Sequence, residues 1–207
     1  MGSLQDYLRF FVTLTAVLDP FLAIPIFLTV TSDPGRRARL ALVVSITVFA
    51  VLVGSIVFGE ALLKLIGASI PAFQVGGGLV LLLMALSMLN AQAGGVRQSQ
   101  DEARELESGE LQGVVPLAVP LLAGPGAIST TIIAAQAGGA AHFGAILVCI
   151  LAVCALTWIT LSLAGPIGER MGTTGLNIAT RLLGLLLAAL AIQTMAEGLR
   201  QLFPGLA

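Results

Sequence analysis

The sequence predicts an all-α integral membrane protein: six transmembrane helices forming two inverted three-helix repeats, with the first and fourth helices broken at proline and glycine. Three observations lead there. Of 207 residues, 57% are hydrophobic and only 10% charged, and the mean hydropathy is +1.01, far above the soluble globular range. Apolar windows long enough for a hydrocarbon core of about 30 Å, each needing about 20 helical residues, lie at 8–30, 40–59, 71–91, 114–135, 143–165 and 177–199. One long hydrophilic segment, 92–113, parts them three and three, so the chain reads as a single membrane domain with halves 1–91 and 114–207.

The first span carries "TAVLDPFLAIPIFL", Thr15 to Leu28. Proline inside a helix removes a hydrogen bond and clashes with the preceding turn, at about 3 kcal/mol or more. Pro20 and Pro25 therefore break this span, and Asp19 puts a carboxylate at its centre. A charge at that depth costs about 2.5 to 3.5 kcal/mol on insertion scales, so it should face the protein interior with a partner, or be protonated. The span is long enough to cross and no small-residue cleavage site follows it, so it reads as a retained helix.

The second span, 40–59, has no interruption. The third opens on Gly76, Gly77 and Gly78, where missing side chains let another backbone approach; close helix packing is the default use, and lining a passage the alternative. The fourth span holds "LAGPGAISTT", with Gly124, Pro125 and Gly126 followed by the hydroxyls of Ser129 and Thr130. In the fifth, Cys149 and Cys154 lie five apart, which is neither a redox motif nor a metal-ligand spacing, so buried packing is expected. His142, alone at the edge of that span, is expected at the membrane interface. The sixth span begins near Arg181, the candidate ion-pair partner of Asp19, and carries Gln193 and Glu197 four apart on one face.

The halves echo each other. Pro125 follows Pro20 by 105 positions, "LLGLLLAAL" in the sixth span matches "LVLLLMAL" in the third, and "RMG" ending at Gly172 matches "LIG" ending at Gly67. An odd number of spans per repeat forces opposite orientations, hence an inverted repeat. Arg36, Arg37, Arg39, Arg97, Arg104 and Arg170 fall on one side, and Arg9, Lys64 and Arg200 on the other. The richer side is expected in the cytoplasm, with both termini outside.

Backbone groups freed near the bilayer midplane must be satisfied by protein or by a water-filled cavity, so the breaks should face inward. Paired breaks at matching places are the sequence mark of a transporter binding site, where half-helix N-termini and freed carbonyls hold a solute. Near-zero net charge leaves no basic patch for nucleic acid, and no cofactor or metal motif is present, so none is expected.

These residues resemble the MarC family of bacterial inner-membrane proteins, part of a wider grouping with the LysE-type exporters. The resemblance covers nearly the whole chain and rests on "DPFLAIPIFLTVT", "FQVGGGLVLLLMALSML", "PLAVPLLAGPGAIST" and "RLLGLLLAALAIQTMAEGL". It implies six membrane helices in the bacterial inner membrane and, for some relatives, transport of small neutral amino acids such as alanine and glycine. The family pattern usually has Asn-Pro where this chain has Asp19-Pro20.

The expectation is a secondary transporter, not an enzyme, exporting a small zwitterion with coupling to protons or sodium. Its site would draw on Asp19, Pro20, Pro25, Gly77, Gly124, Pro125, Gly126, Ser129, Thr130, Arg181 and Gln193. A homo-oligomer is compatible with this reading. The competing readings are an intramembrane enzyme or redox carrier on the same frame, and a non-transporting accessory protein.

Overall fold

Ser3 starts the first helix with a capping box: its hydroxyl accepts the backbone N–H of Asp6 at 3.2 Å, and the Asp6 carboxylate accepts the N–H of Ser3 at 2.7 Å. The computed structural model describes residues 3–31, 34–65, 67–90, 122–136 and 138–206. Helix α1 is Leu4–Leu18 and α2 is Pro20–Val30; then come α3 (Pro34–Leu65), α4 (Ile70–Leu89), α5 (Pro125–Ala135), α6 (Ala140–Ser162) and α7 (Ala164–Leu202). A 3-10 turn, Pro204–Leu206, ends the series, and the described residues contain no strand.

The chain is an all-helical, multi-pass membrane protein. Among the described residues five stretches are long and apolar enough to cross a bilayer: Leu4–Leu28, Gly35–Gly59, Ile70–Leu89, Ala141–Ser162 and Ala164–Leu202. The 11-residue α5 is the second part of the expected fourth span. The first part of that span and the hydrophilic segment 92–113 lie outside the described residues.

Helix α4 lies along α7, α3 along α6, and α1 along both α5 and α6. The face of α7 turned inward carries Thr180, Gly184, Leu187, Ala191 and Gly198, spaced by four, three, four and seven. Glycine there lets backbones meet: a Cβ on Gly184 would lie 3.2 Å from the carbonyl oxygen of Ala85, and one on Gly198 2.7 Å from that of Pro71. Inside the bundle Leu14, Leu18, Ile24, Phe27, Leu52, Leu81, Ile150 and Leu187 are fully buried. Large apolar side chains such as Ile46, Phe58, Val148 and Leu185 are exposed, as a lipid-facing surface requires.

Helix α7 is two helical segments that meet at Gly172, where φ is 59° and ψ −177°. The segment after Gly172 covers the expected sixth span, 177–199, and the segment before it carries Glu169 and Arg170, which the sequence reading left between spans. Gly67 and Gly172 are the positive-φ glycines among the described residues, and they stand 105 positions apart.

Candidate functional site

The first break is built by Asp19. It ends α1, its N–H bonding to the carbonyl of Thr15 at 3.0 Å, and it begins α2, its Oδ1 accepting the N–H of Leu22 at 3.2 Å. Its backbone is left-handed, φ 41° and ψ 72°, a region that Asp and Asn tolerate better than other side chains. Pro20 follows as the first residue of α2, where its missing N–H costs nothing and its φ suits a helix start. The carboxylate thus sits at the positive end of α2, the favourable end for an anion. Asp19 is 0% exposed.

The second break has the same form with different parts. Gly124 caps α5 without a side-chain bond, Pro125 is again the first helical residue, and α5 spans 11 residues as α2 does. Gly126, Ser129 and Thr130 are buried. A carbonyl can only accept, so the hydroxyls of Ser129 and Thr130 donate to the carbonyl of Gly126, at 3.1 and 2.7 Å. What these hydroxyls offer beyond their own helix is lone pairs.

Glycine brings α4 against this segment. A Cβ on Gly77 would stand 3.1 Å from the Cβ of Ser129, whereas one on Gly78 would meet α7 and one on Gly76 would meet nothing within 4 Å. Gly126 in turn faces Leu81 and Met84 of α4.

Two cavities open at opposite ends of the bundle. At the end carrying both chain termini, a cavity of about 260 Å3 descends to Thr130, with Asp6, Tyr7, Arg9, Gln74, His142, Thr194 and Glu197 around it. At the other end, a cavity of about 410 Å3 is lined by Pro25, Arg37, Gly165, Glu169 and Gly172. Sites for drug-sized ligands run about 300 to 1,000 Å3, so the first cavity suits something smaller.

Two expected site residues lie elsewhere. Arg181 is exposed on α7 and makes no ion pair with Asp19, so its charge reaches outward from the bundle; snorkelling towards headgroups accounts for it. Gln193 is also exposed and donates to Glu197 at 3.1 Å, the two sharing a helix face as their spacing requires. Asp19 marks one break, while Thr130 and Pro25 line separate cavities.

His142 is the third residue of α6. It is 6% exposed and bridges three helices, Nδ1 lying 3.0 Å from the Tyr7 hydroxyl of α1 and Nε2 2.9 Å from the carbonyl oxygen of Ala134 of α5. A lone histidine 135 residues from its tyrosine partner offers no spacing signal, so sequence reasoning missed the pairing with Tyr7. Cys154 is buried and Cys149 partly buried, in keeping with packing.

Comparison with known proteins gives a uniform result. The profile of the family described as MarC family integral membrane protein matches residues 4–203. The UPF0056 membrane protein YhcE of Escherichia coli is 35% identical over 97% of this chain and 94% of its own length. The UPF0056 membrane protein YvbG of Bacillus subtilis is 36% identical over 94% of each chain. A UPF0056 membrane protein of the archaeon Methanocaldococcus jannaschii is 34% identical over 96% of this chain and 98% of its own. No solved structure matches significantly.

Proposed function

The chain belongs to the MarC family of integral membrane proteins, and on that premise we propose that it is a secondary transporter that exports small neutral amino acids of alanine or glycine size by alternating access. One observation carries the reading. Two proline-initiated helices of 11 residues, Pro20–Val30 and Pro125–Ala135, begin 105 positions apart, and each contributes to a different one of two cavities that open at opposite ends of the bundle. Two half-helices in equivalent places, each beside its own vestibule, are what an inverted repeat needs to expose one site to either side in turn. The second, third, fifth and sixth spans add support, since α3 packs on α6 and α4 on α7, each against its counterpart from the other half.

In this mechanism the solute passes between the vestibules through the region of Asp19, Gly124 to Thr130 and Gly77. Lone pairs on Thr130 suit an ammonium group, and the α5 N-terminus at Pro125 favours a carboxylate. Movement of one half against the other is hinged where the backbone already leaves helical geometry, at Asp19 and Gly172. The protein resides in the bacterial inner membrane with both termini outside, and its flux is coupled to protons or sodium.

Purified protein in liposomes loaded with unlabelled alanine or glycine tests the reading. Counterflow of the labelled amino acid, without any partner protein, is expected. Absence of counterflow for every small neutral amino acid would sink it and leave the accessory or enzymatic alternatives.

A further inference from the structure

The cavity at the terminal end holds the protein's one histidine in an arrangement that a packing role alone does not use. The carbonyl of Ala134, near the C-terminus of α5, can only accept, so the hydrogen on His142 lies on Nε2. In the neutral ring Nδ1 is then an acceptor, and Tyr7 must donate its hydroxyl hydrogen to it. A second proton has one place to go, Nδ1, and its arrival breaks no contact: Nδ1–H donates to the same tyrosine oxygen, now an acceptor. The hydroxyl hydrogen of Tyr7 is thereby released towards the cavity.

We infer that His142 is a proton-binding site of this cavity, and that proton binding reverses the Tyr7–His142 hydrogen bond and so changes what the cavity offers a solute. Two features of the geometry support it. Both ring nitrogens keep partners in either protonation state, which a buried ring needs if it is to carry charge. The cavity of about 260 Å3 beside the ring gives protons a path to it. Histidine is the side chain whose ordinary titration falls near physiological pH. Among the described residues the charged or titratable groups around the cavity are Asp6 and Arg9 on α1 and Glu197 on α7; α4 contributes neutral Gln74, and α5 the Ala134 carbonyl. The inference does not depend on which solute the cavity admits, or on transport at all.

Because the chain has a single histidine, ring-15N labelling gives one imidazole to observe without assignment. The intact protein, purified with a histidine-free tag in nanodiscs, would be followed by 15N NMR from about pH 8 to about pH 5. The expected result is the Nε2–H neutral ring at the alkaline end, passing to a doubly protonated ring as pH falls, with Tyr7→Phe moving the midpoint while helix content stays unchanged. A ring that stays neutral throughout, an Nδ1–H tautomer at the alkaline end, or a midpoint indifferent to Tyr7→Phe would overturn it. Should Tyr7→Phe fail to fold, the titration and tautomer of the unaltered chain still decide.

Discussion

The Asp19 carboxylate caps the helix that follows it, Oδ1 holding the N–H of Leu22 at 3.2 Å while the residue's own backbone turns left-handed between α1 and α2. Both properties suit asparagine as well as aspartate, because each is a strong N-cap and each tolerates that backbone region. Asp19→Asn should therefore lose less stability than Asp19→Ala. Asp19→Ala loses a cap worth about 0.5 to 2 kcal/mol and with it the short polar side chain that lets Asp or Asn hold the left-handed backbone. Asp19→Gly should fall between them. Denaturant unfolding in a fixed detergent gives the order, and an alanine variant as stable as the asparagine one would refute the capping role.

The three consecutive glycines of α4, Gly76 to Gly78, should answer very differently to one methyl group. A Cβ on Gly78 would stand 3.0 Å from the carbonyl oxygen of Ala191 and 3.1 Å from the backbone nitrogen of Met195, so Gly78→Ala must push α4 and α7 apart. Overpacking of this kind costs about 1 to 3 kcal/mol. Gly76→Ala meets nothing within 4 Å and gains helix propensity of about 0.8 to 1 kcal/mol. Gly77→Ala presses on Ser129 and belongs between the two. The thermal stabilities of the three variants check the order.

How much of this could be read from the residues depends on whether the cause was local. The breaks at Asp19-Pro20 and Gly124-Pro125 were legible because proline suits the first turn of a helix, whereas Pro25, also expected to break the first span, lies inside α2. The glycine run was legible as close packing, although which glycine meets which helix was not. Tyr7 and His142 were illegible because their meeting depends on how α1 and α6 dock. The Arg181–Asp19 pairing failed because depth along a span says nothing about which face a side chain takes. The hydroxyls of Ser129 and Thr130 were found, but their hydrogens go to Gly126, a competition between backbone and solute that composition does not resolve.

Gly67 and Gly172 provide a test of backbone strain without crowding. Both have positive φ, 70° and 59°, and a Cβ on either would meet nothing within 4 Å. Gly67→Ala should cost about 1 to 2 kcal/mol through its positive φ alone, with asparagine recovering part of it, and Gly172→Ala, at φ 59° and ψ −177° where essentially only glycine fits, about 1 to 3 kcal/mol. Unfolding free energies measure this; a neutral alanine variant at either site would show that the turn can change its conformation freely.

Orientation can be read by chemistry from outside the cell. Gly35 is the second residue of α3 and Gly205 follows α7, and both are exposed at opposite ends of the bundle. In a background with Cys149 and Cys154 replaced by serine, Gly205→Cys should react with a membrane-impermeant thiol reagent in intact cells, and Gly35→Cys should react only after the cells are opened. The opposite pattern would invert the orientation drawn from the arginine count.

Arg181 and Asp19 should behave as strangers. A buried ion pair leaves an uncompensated charge when one partner is removed, at about 3 to 5 kcal/mol, and removing the second partner then restores much of the loss. Arg181 instead stands exposed on α7 while Asp19 is enclosed at the first break. Arg181→Gln should cost no more than about 0.5 kcal/mol, the usual range for a surface substitution. The double variant Arg181→Gln with Asp19→Asn should equal the sum of the single ones within about 0.3 to 0.5 kcal/mol. A large loss for Arg181→Gln that Asp19→Asn reverses would show the two groups meeting in some other state of the protein. In an alternating-access carrier such a state would be the one open to the opposite side, so measuring the cycle with and without saturating alanine separates a pairing that never forms from one that forms only during turnover.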